Sequence, residues 1–272
     1  MLAVIICFYK NIHIIKNLTY FLNGLDVQYD LFIVLNDIDV FDTIDKNMYE
    51  KNIFFVKGDN TIFEFTGIQK CLNSIDKNKY KSFMLGTDAL FNNPIYYLDF
   101  INKDMVEYTF TNEVCLGNID SFNREYKFNH FKLSYWLRTS LIIINKNSFE
   151  KIDYQFITLQ NIDEKMDIDS NLKKILDDWL NKDRYLYLQD KRKIKLFCIY
   201  NEYSFTQKIK EVCKIFDFIT AYNLNFYKYS IASRNMNMLI NNEIYEESKN
   251  IKKIKMLEPL EQLTLKYKIF QL

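Results

Sequence analysis

The opening third of the chain alternates short apolar runs with segments of helical periodicity, and this alternation restricts the possible folds more than any other feature. Leu2–Phe8, Leu31–Leu35 and Ile53–Val56 are continuously apolar over strand-like lengths. Between the first two runs, apolar residues recur at helical spacing from Ile14 to Leu25. Strands without polar positions are typical of parallel sheets covered by helices on both faces. The pattern predicts an α/β fold with a mostly parallel, doubly wound sheet flanked by helices.

The same analysis predicts further elements up to about residue 160. A helix is expected from Phe65 to Ile75, and Pro94 is suited to the first turn of another helix. Strands are predicted over Ser82–Leu85, Met105–Thr111 and Leu141–Ile144, followed by a short helix over Asn147–Ile152. Residues 1–160 are therefore interpreted as the core domain.

Residues 161–272 are predicted to form a smaller, helix-rich part packed on that core. Its expected elements are an acidic loop over Ile162–Ser170, a helix from Leu172 to Trp179, a strand over Ile194–Tyr200 and a helix from Phe205 to Phe216. The end of the chain, from Glu243 onwards, is rich in Lys and Glu with apolar residues at helical intervals. Three hypotheses fit this tail: packing on the same molecule, contact with a membrane surface, or a homo-oligomer contact.

Composition narrows the classes of partner. The 36 Lys and Arg residues nearly balance the 35 Asp and Glu residues, which argues against nucleic acid as the partner. The five cysteines are scattered without a CxxC spacing, which favours free thiols in a reducing compartment. Neither a cleavable leader nor an apolar run of membrane-spanning length is visible. We therefore expect a cytoplasmic protein, at most peripheral at the inner membrane.

Polar residues follow each of the first four predicted strands. Tyr9 follows the first, Asn36 and Asp37 the second, Asp59 and Asn60 the third, and Thr87 and Asp88 the fourth. In open α/β sheets, ligands bind in the crevice outside the carboxyl ends of the strands. Asp and Asn also serve as ordinary turn residues and helix caps, so each pair alone has a structural explanation. Four such positions in succession favour a ligand-binding edge.

Several common enzyme motifs are missing. No GxGxxG follows the first strand and no GxxxxGK[ST] occurs, which argues against dinucleotide-binding dehydrogenases and P-loop enzymes. There is no GxSxG elbow, and the chain has only two histidines, His13 and His130. We interpret His13 as structural, whereas His130 lies in an aromatic stretch and is either structural or a substrate contact.

Four segments, taken in order, carry a family resemblance that covers roughly residues 1–155. They are the opening strand and helix leading to LFIVLND, then VKGDNTIFEFTGIQKCL, then KYKSFMLGTDALFNNP, and finally LGNIDSF followed by SYWLRTSLIIINKNSFEKI. This series resembles the GT-A glycosyltransferases, specifically the bacterial lipopolysaccharide and polysaccharide glycosyltransferase-like proteins. The resemblance implies a GT-A-like fold and transfer of a sugar from a nucleotide-diphosphate sugar donor to a glycan or lipid-linked glycan acceptor.

The resemblance also implies where the donor binds. Its base and ribose would lie near Tyr9, Asn36, Asp37, Asp59 and Asn60. Its diphosphate would lie near Thr87 and Asp88, with Asp88 holding a divalent cation, Mn²⁺ or Mg²⁺. Family members often have a second acidic or amide residue where this chain has Thr87. Asp37 or Asp59 would then assist the metal, or Arg138 would replace it.

On the acceptor side, the resemblance implies a base that takes the proton of the acceptor hydroxyl. Asp120, predicted in a turn formed by GNIDSF, is the first candidate, and Glu113 and Asp163 are the alternatives. Trp136 and Arg138 are expected to offer a stacking face and an anion contact. An inverting glycosyltransferase is the preferred hypothesis. A nucleotidyltransferase or retaining transferase, and a catalytically degenerate domain that binds a glycan or a partner, are the alternatives.

Overall fold

The structure is a computed structural model that describes residues 1–9, 12–91, 98, 100–128, 131–158, 167–180, 192–218 and 221–222. The first half alternates strands and helices: β1 (Leu2–Phe8), α1 (Ile15–Gly24), β2 (Tyr29–Leu35), α2 (Ile38–Thr43), β3 (Ile53–Lys57), α3 (Phe63–Ser74) and β4 (Ser82–Thr87). The second half contains α4 (Lys103–Thr111), β5 (Val114–Phe128), β6 (Phe131–Asn145), α5 (Lys146–Glu150), α6 (Ser170–Leu180), α7 (Arg192–Val212) and β7 (Lys214–Asp217).

The seven strands form one mixed sheet in the order β3-β2-β1-β4-β6-β5-β7. The first four are parallel neighbours, β6 runs antiparallel to both β4 and β5, and β7 is parallel to β5. Six of the described strands therefore share one direction and β6 alone opposes them. The predicted α/β class is confirmed, and the sheet is mixed. Because β7 joins the same sheet, the described residues 192–218 extend the core.

Helices cover both faces of the sheet. Alternate side chains of each strand point to opposite faces, as the pleat requires. Ala3, Ile5 and Cys7 pack with residues of α3, α5, α6 and α7 on one face. Leu2, Val4 and Ile6 pack with residues of α1 and α4 on the other. Strands β1 and β2 are buried along their whole length, which explains the apolar runs Leu2–Phe8 and Leu31–Leu35.

Two predicted strands are helices instead. Residues 105–111 belong to α4, whose buried Met105, Val106 and Thr109 follow the spacing of one helical face. Asn102 caps this helix by accepting a hydrogen bond from the Met105 N–H. The predicted strand at 194–200 and most of the helix predicted from Phe205 to Phe216 form one helix, α7, which runs from Arg192 to Val212, and Phe216 lies in β7.

The β5–β6 hairpin differs most from expectation. Both strands are 15 residues long, and their distal halves, 118–128 and 131–138, continue past the point where β6 leaves β4. Gly117 pairs with Ile142 but Asn118 pairs with Arg138, so β6 bulges by several residues at the base of the hairpin. The GNIDSF segment is therefore part of a strand, and the prediction of a turn there was wrong.

No helix within the described ranges is long and apolar enough to cross a membrane.

Candidate functional site

The order of the strands locates a crevice in the sheet. The chain goes from β1 to β2 on one side of β1, but β4 lies on its other side. The direction of winding therefore reverses between β1 and β4. In open α/β sheets such a reversal separates the adjacent loops and leaves a crevice at the carboxyl ends of the strands, where ligands bind.

A carboxylate lies at this crevice. Asp88 directly follows β4, and Tyr9 directly follows β1. The backbone N–H of Tyr9 donates a hydrogen bond to Oδ2 of Asp88 at 3.1 Å. The Tyr9 side chain is 46% exposed and Asp88 is half-buried, so both border open space. The structure thus brings these two predicted residues together, with the carboxylate held by the backbone at the reversal point.

Asn36 stabilises the neighbouring loop. It follows β2, is buried, and donates through Nδ2 to Oδ1 of Asn60 at 3.3 Å and to the carbonyl of Phe63 at 2.9 Å. Its own Oδ1 is buried and accepts no hydrogen bond from the described part of the chain. Asn36 and Asn60 were both predicted to touch a ligand. In the structure their side chains bind each other and hold the loop between β3 and α3 in place.

Gly58 is required by this close packing. A Cβ at Gly58 would lie 2.1 Å from Oδ1 of Asn36 and 2.8 Å from the carbonyl oxygen of Leu35. We expect Gly58→Ala to lower the free energy of unfolding by about 1–3 kcal/mol through overpacking. The measurement is urea denaturation followed by circular dichroism. Gly24→Ala is the matched control, because a Cβ there meets nothing within 4 Å and a helical alanine is more favourable than glycine. Equal losses in the two variants would contradict the packing assigned to this loop.

The remaining residues of this edge have local roles. Asp37 caps α2 by accepting from the N–H groups of Asp39 and Val40. Asp59 accepts from the N–H and the hydroxyl of Thr61, and these hydrogen bonds lower the pKa of its carboxyl group. Thr87 is buried in β4 beside Cys7. Asp37, Asp59 and Asp88 all lie at the carboxyl edge, but in a row across β2, β3 and β4 rather than around one point.

A second feature adjoins this edge. A cavity of about 490 Å³, here called the hairpin cavity, lies between the distal hairpin and helices α6 and α7. The hairpin contributes Asp120, Ser121, Phe122, Trp136 and Arg138; the helices contribute Ile175, Leu176, Lys195, Ile199, Glu202 and Tyr203. Its volume is in the range of small-molecule binding sites. Its apolar walls with a few polar groups are also typical of such sites.

Three residues predicted for the acceptor side meet in the hairpin cavity. Asp120 pairs with Trp136 across the two strands, and Oδ2 of Asp120 lies 3.8 Å from Nη1 of Arg138. The Trp136 ring lies 4.6 Å from that of Phe122 and 5.3 Å from that of Tyr203, measured between centroids. The cavity therefore combines an aromatic wall with a carboxylate and a guanidinium group.

Sequence reasoning missed Glu202, which also lines the cavity. This half-buried residue lies on α7, and its Oε1 accepts from the N–H of Thr139 at 2.9 Å and from the Thr139 hydroxyl at 2.7 Å. Burial raises the pKa of the Glu202 carboxyl group, although these hydrogen bonds, Lys195 and Arg138 partly oppose the effect. No sequence motif marks Glu202, and its segment was predicted to lie between a strand and a helix.

The alternative candidates for the base have different outcomes. Glu113 precedes β5, and its carboxylate binds Nζ of Lys151 at the amino end of that strand, opposite to the edge at which Asp88 follows β4. Asp163, the other alternative for the base, lies outside the described residues. His130 and Pro94 also lie outside them, and the side chain of His13 is not described.

Asp88 is the candidate ligand for a divalent cation at the crevice. Within the described residues, no group of three His, Cys, Asp or Glu side chains is placed to hold a metal ion. Asp37 caps α2 and Asp59 binds Thr61 in the loop before α3, whereas Asp88 lies at the reversal point. Mg²⁺ is commonly held by one or two carboxylates together with substrate phosphates, so Asp88 fits a cation that arrives with a diphosphate.

Comparison with known proteins gave no match. No protein-family model, no curated protein and no solved structure matches this chain significantly.

Proposed function

We propose that this protein is a glycosyltransferase that moves a sugar from a nucleotide-diphosphate sugar to a hydroxyl of a glycan or lipid-linked glycan acceptor. The observation that carries the proposal is the Asp88 carboxylate, held by the Tyr9 N–H at the reversal point of the sheet. The family resemblance of residues 1–155 supports the same function. We extend the proposal to synthesis of lipopolysaccharide, capsule or a related surface glycan in the cytoplasm.

The donor would bind along the carboxyl edge of β3, β2, β1 and β4. Tyr9 offers an exposed ring to the base or ribose, and Asp88 faces the diphosphate. A divalent cation held by Asp88 and the phosphates would neutralise the negative charge that develops on the departing nucleotide. The GT-A-like arrangement of this donor site is part of the proposal.

The acceptor would bind in the hairpin cavity. Strand β6 links the two regions, because it pairs with β4 and then forms one wall of the cavity. It also contacts the turn that starts at Asp88. The rings of Trp136, Phe122 and Tyr203 suit the apolar face of a sugar, and the charged groups around them suit its hydroxyls. Both substrates would thus meet at the base of the hairpin.

Binding of the donor product tests the first half of this proposal. We expect a uridine, guanosine or cytidine diphosphate with Mn²⁺ to raise the melting temperature. At ten times the Kd the stabilisation is about 1.4 kcal/mol, or roughly 3–6 °C for a domain of this size. Thermal shift with a nucleotide panel, with and without EDTA, measures it. A melting temperature unchanged by every nucleotide at millimolar concentration contradicts the donor site.

A binding module without catalysis is the second candidate function. It is favoured by the single carboxylate in GTDALF and by the lack of a three-ligand metal cluster in the described ranges. Transfer and donor hydrolysis with a panel of nucleotide sugars separate the two functions. Release of nucleoside diphosphate that depends on the donor sugar supports the enzyme, whereas binding without release supports the module.

A further inference from the structure

Glu202 lies where the cavity meets the carboxyl edge of the sheet. Its Oε1 is bound to Thr139 of β6, and its Oε2 receives no hydrogen bond from the described residues. Gly86 of β4 pairs with Leu141, two residues after Thr139 in β6. β6 bulges between Ile142, which pairs with Gly117, and Arg138, which pairs with Asn118, so Thr139 lies in this bulge at the base of the hairpin. Asp88 follows the last residue of β4 and starts a turn that contacts β6.

Asp120 lies farther from the crevice. It pairs with Trp136 and lies two residues past Asn118, the first paired residue after the bulge, which corresponds to about 7 Å of strand. Asp120 also faces Arg138 at 3.8 Å. Of the two carboxylates that line the cavity, Glu202 is therefore the one bound at the base of the hairpin, where β6 continues to its pairing with β4.

The surroundings of Glu202 suit a group that exchanges a proton. Burial raises its pKa, and the charged or titratable groups around it are Lys195 on its own helix, Arg138 on β6, Asp120 on β5 and Tyr203 beside it. A carboxylate whose pKa is raised towards neutrality is a better base than one with an ordinary pKa. Thr139 fixes one oxygen and thereby orients the carboxylate.

We propose that Glu202 is the general base of the transfer reaction, an assignment that rests on the proposed glycosyltransferase function. The acceptor oxygen attacks the anomeric carbon of the donor sugar and forms the new C–O bond. The bond from that carbon to the phosphate oxygen breaks, and the electron pair leaves with the nucleoside diphosphate. The proton of the acceptor hydroxyl goes to the Glu202 carboxylate.

Glu202→Gln tests this assignment, with Glu211→Gln as the matched control on the exposed side of the same helix. The amide oxygen can still accept from Thr139, so folding and nucleotide binding are expected to be retained. The transfer rate is expected to fall by about 10²–10⁴-fold, the usual contribution of a general base. The acid limb of the wild-type pH–rate profile should disappear in Glu202→Gln and remain in Glu211→Gln.

A second variant keeps the test valid if Glu202→Gln folds poorly. Thr139→Val removes one hydrogen bond that favours the charged carboxylate, so the Glu202 pKa should rise and the acid limb should move to higher pH. A wild-type rate with an unchanged acid limb in Glu202→Gln, together with inactivity of Asp120→Asn, overturns the assignment in favour of Asp120. Wild-type protein that neither binds nucleotide nor transfers sugar overturns the proposed function itself, and with it this assignment.

Discussion

Asp88→Ala is expected to reduce the rate of sugar transfer by about 10²–10³-fold, the usual effect of removing one preorganised group that stabilises the developing charge. Asp88 directly follows β4 at the reversal point, and the backbone N–H of Tyr9 holds its carboxylate. Without Asp88, a cation bound with the donor phosphates would lose this carboxylate as a ligand. Initial rates across a range of Mn²⁺ concentrations measure the effect, and the Mn²⁺ dependence of the nucleotide-induced thermal shift should weaken in parallel.

Asp42→Ala is the control for the loss of one carboxylate. Asp42 is exposed and pairs with Lys57 at 3.6 Å on the surface, an interaction worth at most about 1 kcal/mol. We expect its transfer rate to equal that of the wild type. If Asp88→Ala retains the wild-type rate and the wild-type dependence on Mn²⁺, Asp88 has no role in holding a metal.

Phe83→Ala is expected to lower the free energy of unfolding by about 3–5 kcal/mol, the range for a large aromatic residue removed from a core. Phe83 lies in β4, is fully buried, and packs edge-on against Tyr80, Phe149 and Tyr154 with centroid distances of 5.6–5.9 Å. Its loss leaves a cavity between the central sheet and α5. Urea denaturation of the purified variant measures the difference.

Phe54→Ala provides the comparison, since the same side chain is removed from the edge strand β3. Phe54 is 40% exposed and stacks on Phe32 at 5.2 Å. We expect a loss of about 0.5–1.5 kcal/mol, in line with one aromatic pair. Similar losses for Phe83→Ala and Phe54→Ala would show that the aromatic cluster around Phe83 is not a well-packed core.

Strands β1, β2 and β4 could be predicted because they are buried along their whole length. Leu2–Phe8 matches β1 residue for residue, and β2 and β4 extend only two residues beyond the predicted bounds. A strand buried on both faces allows few polar residues, so its sequence contrasts sharply with the loops at either end. The same contrast marked where each strand ends, and the polar residues that follow the strands could therefore be placed at one edge of the sheet.

The spacing of apolar residues gave wrong secondary-structure predictions where helices are buried on more than one side. Four consecutive buried residues of α7, Phe197–Tyr200, have the appearance of a buried strand, because α7 packs against the sheet as well as α3 and α5. The distal hairpin was missed for the opposite reason. Its exposed positions, such as Arg124 and Lys132, interrupt the apolar pattern, and no feature of GNIDSF distinguishes a strand from a turn.

The candidate site was predictable in part. Asp120, Trp136 and Arg138 were chosen from the resemblance and lie in one cavity, and Tyr9 and Asp88 touch each other. Asp37 instead caps α2 and Asp59 binds Thr61 in a turn, roles that the sequence left open as alternatives. Glu202 could not be found from sequence, because its significance depends on the position of Thr139 in a bulged strand.

The most direct test of the donor site is a crystal structure of the protein with a nucleoside diphosphate and Mn²⁺. The phosphates should lie at the carboxyl ends of β1 and β4, with a metal ion between them and Asp88, and the hairpin cavity should remain open to an acceptor on the Glu202 side. Nucleotide bound at the amino edge of the sheet, or on a surface remote from Asp88, would contradict the proposed binding of a sugar donor at the carboxyl edge of the sheet.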